Sequence, residues 1–516
     1  MPMNFKRSAG LLLHISSLPG DFGVGDLGER AHWFIDFLAA AGQSYWQILP
    51  LGPDDAGNPY MAQSTWAGSP FLVSLEALER AGDLLPAEIN AARVPQGSIV
   101  DYGFVSRTRR ELLAMAAQRF FAKGGSERAA FDAFCEKEQD WLDDWALFSA
   151  ARQTHGNEPW WKWPRDLALR TAKGLKSLRA SCEREIACAK YIQFRFFQQL
   201  DALRRKAGMA GIRLIGDVPI YCSRDSADVW ASREYFQLDA DGTPKLVSGV
   251  PPDYFAKDGQ LWGSPIYDWD RLERDGFEWW VRRIKAVLRQ CDVLRIDHFR
   301  AFEAYWAVPA SAATARDGRW VKGPGDAFFA AIKAALGGGQ MPFIAEDLGI
   351  ITKGVSALRE RWDLPGMRVL QFAFGEGAAS PHLPIRHTPN SVVYTGTHDN
   401  DTTVGWYEKA SSVEKDLFRR YTATDGGYCH YHMIRMAYAS IASLAIVPMQ
   451  DVLGLGSWAR FNIPGLAEGN WRWKLLPDQL GEAPVAMLHE MAEIFGRLPW
   501  QIEAQEMEDS QATEAA

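Results

Sequence analysis

Eight short apolar runs, each bounded by turn residues and several ending in an acid, constrain this chain more than any other feature. They are Gly10–His14, Tyr45–Pro50, Ile212–Asp217, Cys291–Asp297, Pro342–Glu346, Val369–Phe374, Val392–Asp399 and Ile441–Asp451. A strand buried on both faces reads as such a run, because neither side of the pleat meets water. Most of the runs are separated by stretches with apolar residues near a 3.6 period, among them Arg30–Ala41, Trp279–Arg289, Ala327–Leu336 and Val355–Trp362. Eight strands alternating with helices predict an α/β protein built on a closed (β/α)8 TIM barrel.

Two intervals are too long for simple crossovers. The segment 52–210 holds helix-like stretches such as Arg128–Ala151 and Glu183–Lys206 and predicts a largely helical insertion after the second strand. In the second stretch Ile186, Tyr191, Phe194, Phe197 and Leu200 form an apolar stripe that reads as core. The segment 221–280, rich in Gly, Pro, aromatic residues and Asp, predicts an ordered loop shaping a cleft after the third strand. Little chain follows the eighth run, so no C-terminal β-domain is expected. The polar, acidic end 503–516 reads as disordered, leaving 1–502 as a single catalytic domain.

Charge and cysteine usage narrow the function. Lys+Arg 56 against Asp+Glu 64 gives −8, the opposite of a nucleic-acid-binding balance. The apolar run after Lys6 and Arg7 is too short for a secretory signal, and nothing approaches the roughly 20 apolar residues of a membrane span. The 6 cysteines are scattered without a CxxC pair, which suits reduced thiols in a cytoplasmic protein. The 21 Trp serve either as core fillers or as stacking platforms for flat apolar ligand faces, sugar rings included.

In a barrel of this kind the site forms at the carboxyl ends of the strands. The fourth run ends in Leu294-Arg295-Ile296-Asp297-His298, where alternation places Arg295 and Asp297 on one inward face. An arginine beside an aspartate favours the ionised form that a nucleophile needs, although the pair also reads as an internal salt bridge. The fifth ends in Ala345-Glu346-Asp347, and desolvation there suits Glu346 to act as a general acid, with Asp347 a helix cap. The seventh runs into Thr397-His398-Asp399-Asn400-Asp401, where His398 and Asp399 can hold sugar hydroxyls and Asp401 reads as a cap or turn residue. The third supplies Asp217, as a hydroxyl ligand or an anchor for the cluster. Acids at four strand ends suit glycoside chemistry, in which two carboxyls flank an oxocarbenium-like transition state. A metal site with His298 and His398 is the competing reading, disfavoured by the positive charge of Arg295.

The chain resembles the amylomaltase, or 4-α-glucanotransferase, family of disproportionating enzymes in the α-amylase superclan. The matching blocks run nearly end to end. They include Gly10–Pro19 (GLLLHISSLP), Trp46–Pro53 (WQILPLGP), Gly216–Tyr221 (GDVPIY), Gly249–Phe255 (GVPPDYF) and Gly259–Gly263 (GQLWG). Leu294–Arg300 (LRIDHFR), Ile344–Gly349 (IAEDLG), Leu364–Phe374 (LPGMRVLQFAF), Tyr394–Thr402 (YTGTHDNDT) and Gln450–Gly456 (QDVLGLG) follow in order.

That resemblance implies transfer of an α-1,4-glucan segment from a donor maltooligosaccharide to glucose or another glucan, with retention and without a cofactor or a metal. It implies Asp297 as nucleophile, Glu346 as acid and base, and Asp399 as the residue gripping the distorted sugar, with His398 beside it. Arg295 matches the arginine that orients the nucleophile, while His298 and Asp217 match substrate-contacting positions. Asp253 and Trp262 match a loop over the cleft, and Tyr60 a tyrosine stacking at the reacting subsite. Trp262, Tyr254 and Phe255 would exclude water and hold the acceptor. The chain departs from the family pattern at Asn58-Pro59-Tyr60-Met61, at Trp262-Gly263-Ser264-Pro265 and at Ile385-Arg386, all expected at the cleft rim. The rival readings are an α-1,4-glucan hydrolase and, more distantly, a non-catalytic glucan-binding protein.

Overall fold

The computed structural model describes residues 5–252, 257–466 and 468–499. Twelve strands occur among them. In chain order they begin with β1 (Ser8–Leu12), β2 (Tyr45–Gln47), β3 (Arg213–Val218), β4 (Leu246–Val250), β5 (Gln260–Pro265) and β6 (Val293–Ile296). The rest are β7 (Ala304–Pro309), β8 (Arg319–Lys322), β9 (Phe343–Ala345), β10 (Gly366–Val369), β11 (Ser391–Tyr394) and β12 (Leu444–Pro448).

Eight of the strands close a barrel in the order β1-β12-β11-β10-β9-β6-β3-β2, and every neighbouring pair is parallel. Parallel pairing requires a crossover for each step, and the helices between the strands cover the outside. This burial on both faces is why the runs are continuously apolar rather than alternating. Leu11, Leu12, Leu214, Ile215, Leu294, Val392, Val393, Ala445 and Ile446 are all fully buried.

The sixth strand differs from its reading. The run Val369–Phe374 gives only its first residue to β10, which starts at Gly366, and Leu370–Phe372 turns into a 3-10 helix. Hydrogen bonding outweighs apolarity here, because Met367 N–H is taken by Asp347 Oδ1 (2.7 Å) while Gly366 pairs with Ala345 and Ser391. A Cβ on Gly366 would lie 2.4 Å from both Asp347 and Arg359, so only glycine lets this carboxylate reach the strand. Asp347 consequently is no helix cap, since Thr352 caps the helix Lys353–Arg361. The seventh strand likewise stops at Tyr394, and its continuation to Asp399 is a turn.

The segment 52–210 is helical. The stretch Arg128–Ala151 is not one helix but parts of two, Ser126–Lys137 and Gln139–Thr154. The corner residue Glu138 leaves helical geometry at ψ 9°, accepts from Trp141 Nε1 (2.8 Å) and pairs with Arg289 on the barrel wall. Helix Glu183–Met209 buries Tyr191, Phe194, Phe197 and Leu200 and packs on helix Glu29–Ala40 and on β3. The predicted loop 221–280 contains β4 and β5, which join β7 and β8 in a four-stranded antiparallel sheet of order β5-β4-β7-β8. These strands are short and broken by Gly and Pro, and half of them come from the interval after β6. Neither feature gives a strong period in sequence. After β12, the described residues add helices Met449–Val452 and Glu482–Ile494, two 3-10 turns and loops, and no strand. The segment 503–516 and residues Asp253, Tyr254 and Phe255 lie outside the described residues. All six cysteines are free, and among the described residues no helix is long and apolar enough to cross a membrane.

Candidate active site

Parallel registry assembles the site. Asp217 on β3 lies opposite Arg295 on β6, so the two side chains meet inside the barrel mouth. Arg295 Nη1 donates to Asp217 Oδ2 (2.6 Å) and lies 2.9 Å from Asp297 Oδ1. The Asp217 side chain is fully buried while that of Asp297 keeps 27% of its exposure, so Asp297 faces the cleft and Asp217 anchors from below. Burial raises Asp217 to about 6 against the pull of Arg295. Asp217 and Asp297 in turn hold Arg295 well above its ordinary range despite burial. The positive charge between these two carboxylates is therefore an arginine.

Just past β6 the chain turns through His298, which has φ 50°. This left-handed geometry is uncommon for a side-chain-bearing residue and often marks functional turns. Here it aims His298 N–H at Glu346 Oε2 (2.8 Å), while Leu348 N–H reaches Oε1 (2.8 Å). Burial nevertheless dominates, and with the nearby Asp297 charge it lifts Glu346 to about 7 against Arg295 and both amides. Burial also lowers His298 to about 3, so its imidazole is neutral. Its ring meets that of Trp262 on β5 in a T-shaped contact at 4.8 Å, and its buried Nε2 has no hydrogen-bond partner among the described residues.

Asp399 stands in a turn after β11. Asn400 Oδ1 accepts from Thr397 N and Oγ1 (both 2.9 Å), and Asp399 N donates to Thr397 Oγ1 (3.2 Å). Asn462 Nδ2 donates to Asp399 Oδ1 (2.6 Å), His398 Nε2 lies 3.3 Å from Oδ2, and Arg460 Nη2 donates to the Asp399 carbonyl (2.5 Å). Desolvation opposes the charged form, but His398, Asn462 and Arg295 outweigh it and hold Asp399 well below the usual carboxylate range. Asp401 accepts from Lys409 Nζ (2.6 Å) and Ser457 Oγ (2.8 Å), while Thr402 is the helix cap.

Tyr60 closes one wall. Asn58 Oδ1 accepts from Tyr60 N–H (3.1 Å) and so starts the 3-10 turn Pro59–Met61, giving that departure from the family pattern a local role. Tyr60 Oη then donates to Asp217 Oδ2 (2.7 Å), and its ring stacks on His398 at 4.8 Å. Trp471 backs both rings, 5.7 Å from Tyr60 and 5.6 Å from His398. The structure thus brings together Asp297, Glu346, Asp399, Tyr60, Asp217, Arg295, His298, His398 and Trp262, while Asp253 is outside the described residues. Arg460, Asn462 and Trp471 escape sequence reasoning, because they sit in an aperiodic loop beyond the last strand. The only hint there is polar and aromatic residues between Gly456 and Asn470.

Comparison with known proteins agrees with this geometry. The family model described as 4-alpha-glucanotransferase matches residues 13–479. The chain is 47% identical over 507 residues to a 4-alpha-glucanotransferase of Thermus thermophilus, covering 96% of this chain and 100% of the relative. A Synechocystis 4-alpha-glucanotransferase is 45% identical, with 95% and 98% covered. Among solved structures, amylomaltase from Streptococcus agalactiae in complex with acarbose superposes with a TM-score of 0.92 at 36% identity, covering 95% of this chain and all of that one. This chain belongs to the 4-alpha-glucanotransferase family.

Proposed function

We propose that this cleft moves an α-1,4-glucan segment from a maltooligosaccharide donor to the 4-hydroxyl of an acceptor sugar by a retaining double displacement. Asp297 attacks the anomeric carbon as the glycosidic C–O bond breaks, and Glu346 gives its proton to the departing oxygen. The glycosyl chain is then an ester of Asp297. Glu346, now ionised, takes the proton from the acceptor hydroxyl as that oxygen displaces Asp297. Asp399, kept ionised by His398 and Asn462, grips hydroxyls of the distorted ring and favours positive charge at the reacting carbon. Arg295 fixes Asp297, with Asp217 holding Arg295 from behind and Tyr60 holding Asp217. The neutral His298, its Nε2 free for a sugar hydroxyl, adds orientation without adding charge.

The observation that carries this reading is the inequality of the carboxyls. Burial lifts Glu346 to about 7, so it exchanges a proton near neutrality, whereas Asp297 faces the guanidinium of Arg295. A buried carboxyl raised in this way suits the acid role, and one paired with a fixed guanidinium suits the nucleophile role. Family membership favours transfer over hydrolysis, and Trp262 against His298 supplies an apolar wall where an acceptor can displace water. The substrates read as maltooligosaccharides and longer α-glucans, with glucose or maltooligosaccharide as acceptor, in a cytoplasmic setting. Incubation with maltotriose tests this. Glucose and a ladder of longer maltooligosaccharides should form with little gain in reducing ends, whereas a rise in reducing ends matching bond cleavage would make the protein a hydrolase.

A further inference from the structure

The sheet beside the cleft has two faces with different content. Antiparallel register aligns Leu261 on β5, Gly249 on β4, Trp306 on β7 and Trp320 on β8 in one row. Trp262, the next residue along β5, projects to the opposite face, toward His298. At the usual strand spacing the row is about 14 Å long. Gly249 keeps its middle flat, since a Cβ there would lie 2.5 Å from Gln260 O. Leu261 and Trp320 each keep 41% of their surface exposed.

Trp320 is fixed from behind. The guanidinium of Arg300 lies 3.8 Å over its ring, and Trp306 meets it edge-on at 5.1 Å. Arg300 is itself buried and donates through Nη1 to Ile350 O (2.5 Å), where Ile350 is 52% exposed. Ile350 is four residues beyond Glu346, and Arg300 three beyond Asp297. The row therefore begins with the sequence neighbour of Trp262, and at its other end Arg300 links Trp320 to the loop that follows Glu346.

We infer that this row is a second binding surface for an α-glucan chain, with Trp320 as its stacking platform, and that it holds the part of a long glucan extending outside the catalytic cleft. The inference rests on the glucan reading of the cleft. A ring fixed by a cation on one side suits the apolar C–H face of a glucose residue, and its exposure on a rigid strand keeps the ordering cost of binding low. Its exposed large side chains are Leu261 and Trp320, far fewer than the roughly 20–30 residues a side of a stable protein interface, which favours a narrow polysaccharide strand.

The test compares the full-length wild-type protein with Trp320→Ala and Trp320→Phe. Binding to linear amylodextrin is measured by affinity electrophoresis and calorimetry, and turnover is measured on maltotriose. Trp320→Ala should bind amylodextrin about tenfold more weakly, equivalent to about 1.4 kcal/mol. Trp320→Phe should recover most of that loss, and both variants should turn over maltotriose at the wild-type rate. Unchanged amylodextrin affinity in Trp320→Ala would overturn the inference, as would a parallel loss on maltotriose. Failure of the wild-type protein to disproportionate maltotriose would instead count against the transfer reading, because the amylodextrin comparison does not depend on turnover.

Discussion

The barrel mouth and the sheet beside it solve different problems with different materials. At the mouth each acid is fixed by several short contacts. Asp297 and Asp217 share Arg295, Glu346 takes two backbone amides, and Asp399 takes Asn462 with His398 alongside. The sheet instead presents rings, with Trp262 toward His298 on one face and Trp306 and Trp320 on the other. In the proposed reaction the held charge makes and breaks the bond, whereas the apolar wall at Trp262 selects the hydroxyl that completes it. Damage at the mouth should therefore abolish turnover, and loss of Trp262, on the sheet face toward the cleft, should redirect it.

The largest effect is expected from Asp297→Asn, which keeps the shape and removes the nucleophile. Turnover should fall by about 10⁴–10⁶-fold with the melting transition preserved, and near-normal turnover would break the distinction between mouth and sheet. Glu346→Gln comes next, with a loss of about 10²–10⁴-fold on ordinary glucans and little loss on a donor whose leaving group needs no proton. In the wild-type protein kcat/KM should fall as pH rises through about 7, where Glu346 loses its proton, and this limb should vanish in Glu346→Gln.

The same raised value carries a stability consequence. A carboxyl lifted from 4.5 to about 7 by folding destabilises the fold when ionised. That penalty is absent below pH 4.5 and complete above about 7. Glu346→Gln should therefore gain stability on the order of 3 kcal/mol at pH 8 and none at pH 4, as read by denaturant unfolding. No gain at pH 8 would show that Glu346 is not strained by burial.

Asn462→Ala sharpens the comparison, since it leaves Asp399 without its closest donor. A lost hydrogen bond to a charged group is worth about 1.5–3 kcal/mol, so a fall of about 10–100-fold in kcat is expected, with no change in product pattern. The smallest effect on rate should come from Trp262→Ala. Total bond cleavage should change less than about tenfold, the scale of one aromatic contact, while hydrolysis gains on transfer. An unchanged product ratio would remove Trp262 from acceptor selection.

The barrel was legible because its strands are buried on both faces and so write their apolarity without interruption. The acids at the strand ends were legible for a related reason, as charged residues closing buried runs have few places to go but the barrel mouth. Where hydrogen bonding overrode apolarity, sequence misled. Leu370 and Phe372 are apolar yet lie in a 3-10 helix, because Asp347 and Gly366 set the sixth strand three residues earlier than its run suggests. The antiparallel sheet was unreadable, since its strands are 4–6 residues long and arrive from two separate intervals. Arg460, Asn462 and Trp471 were invisible for the same kind of reason. They act through contacts with Asp399, Tyr60 and His398 that exist only once the chain is folded.

The central claim is that Asp297, and no other carboxylate of the cluster, carries the glycosyl chain between donor and acceptor. Reacting Glu346→Gln with α-maltosyl fluoride, which departs without acid assistance, should let the glycosyl-enzyme form and slow its release. Peptide mass spectrometry should then find the sugar on the segment Leu294–Arg300 at Asp297. An adduct on Asp399 or Asp217, or donor consumption with no adduct under these conditions, would contradict the account.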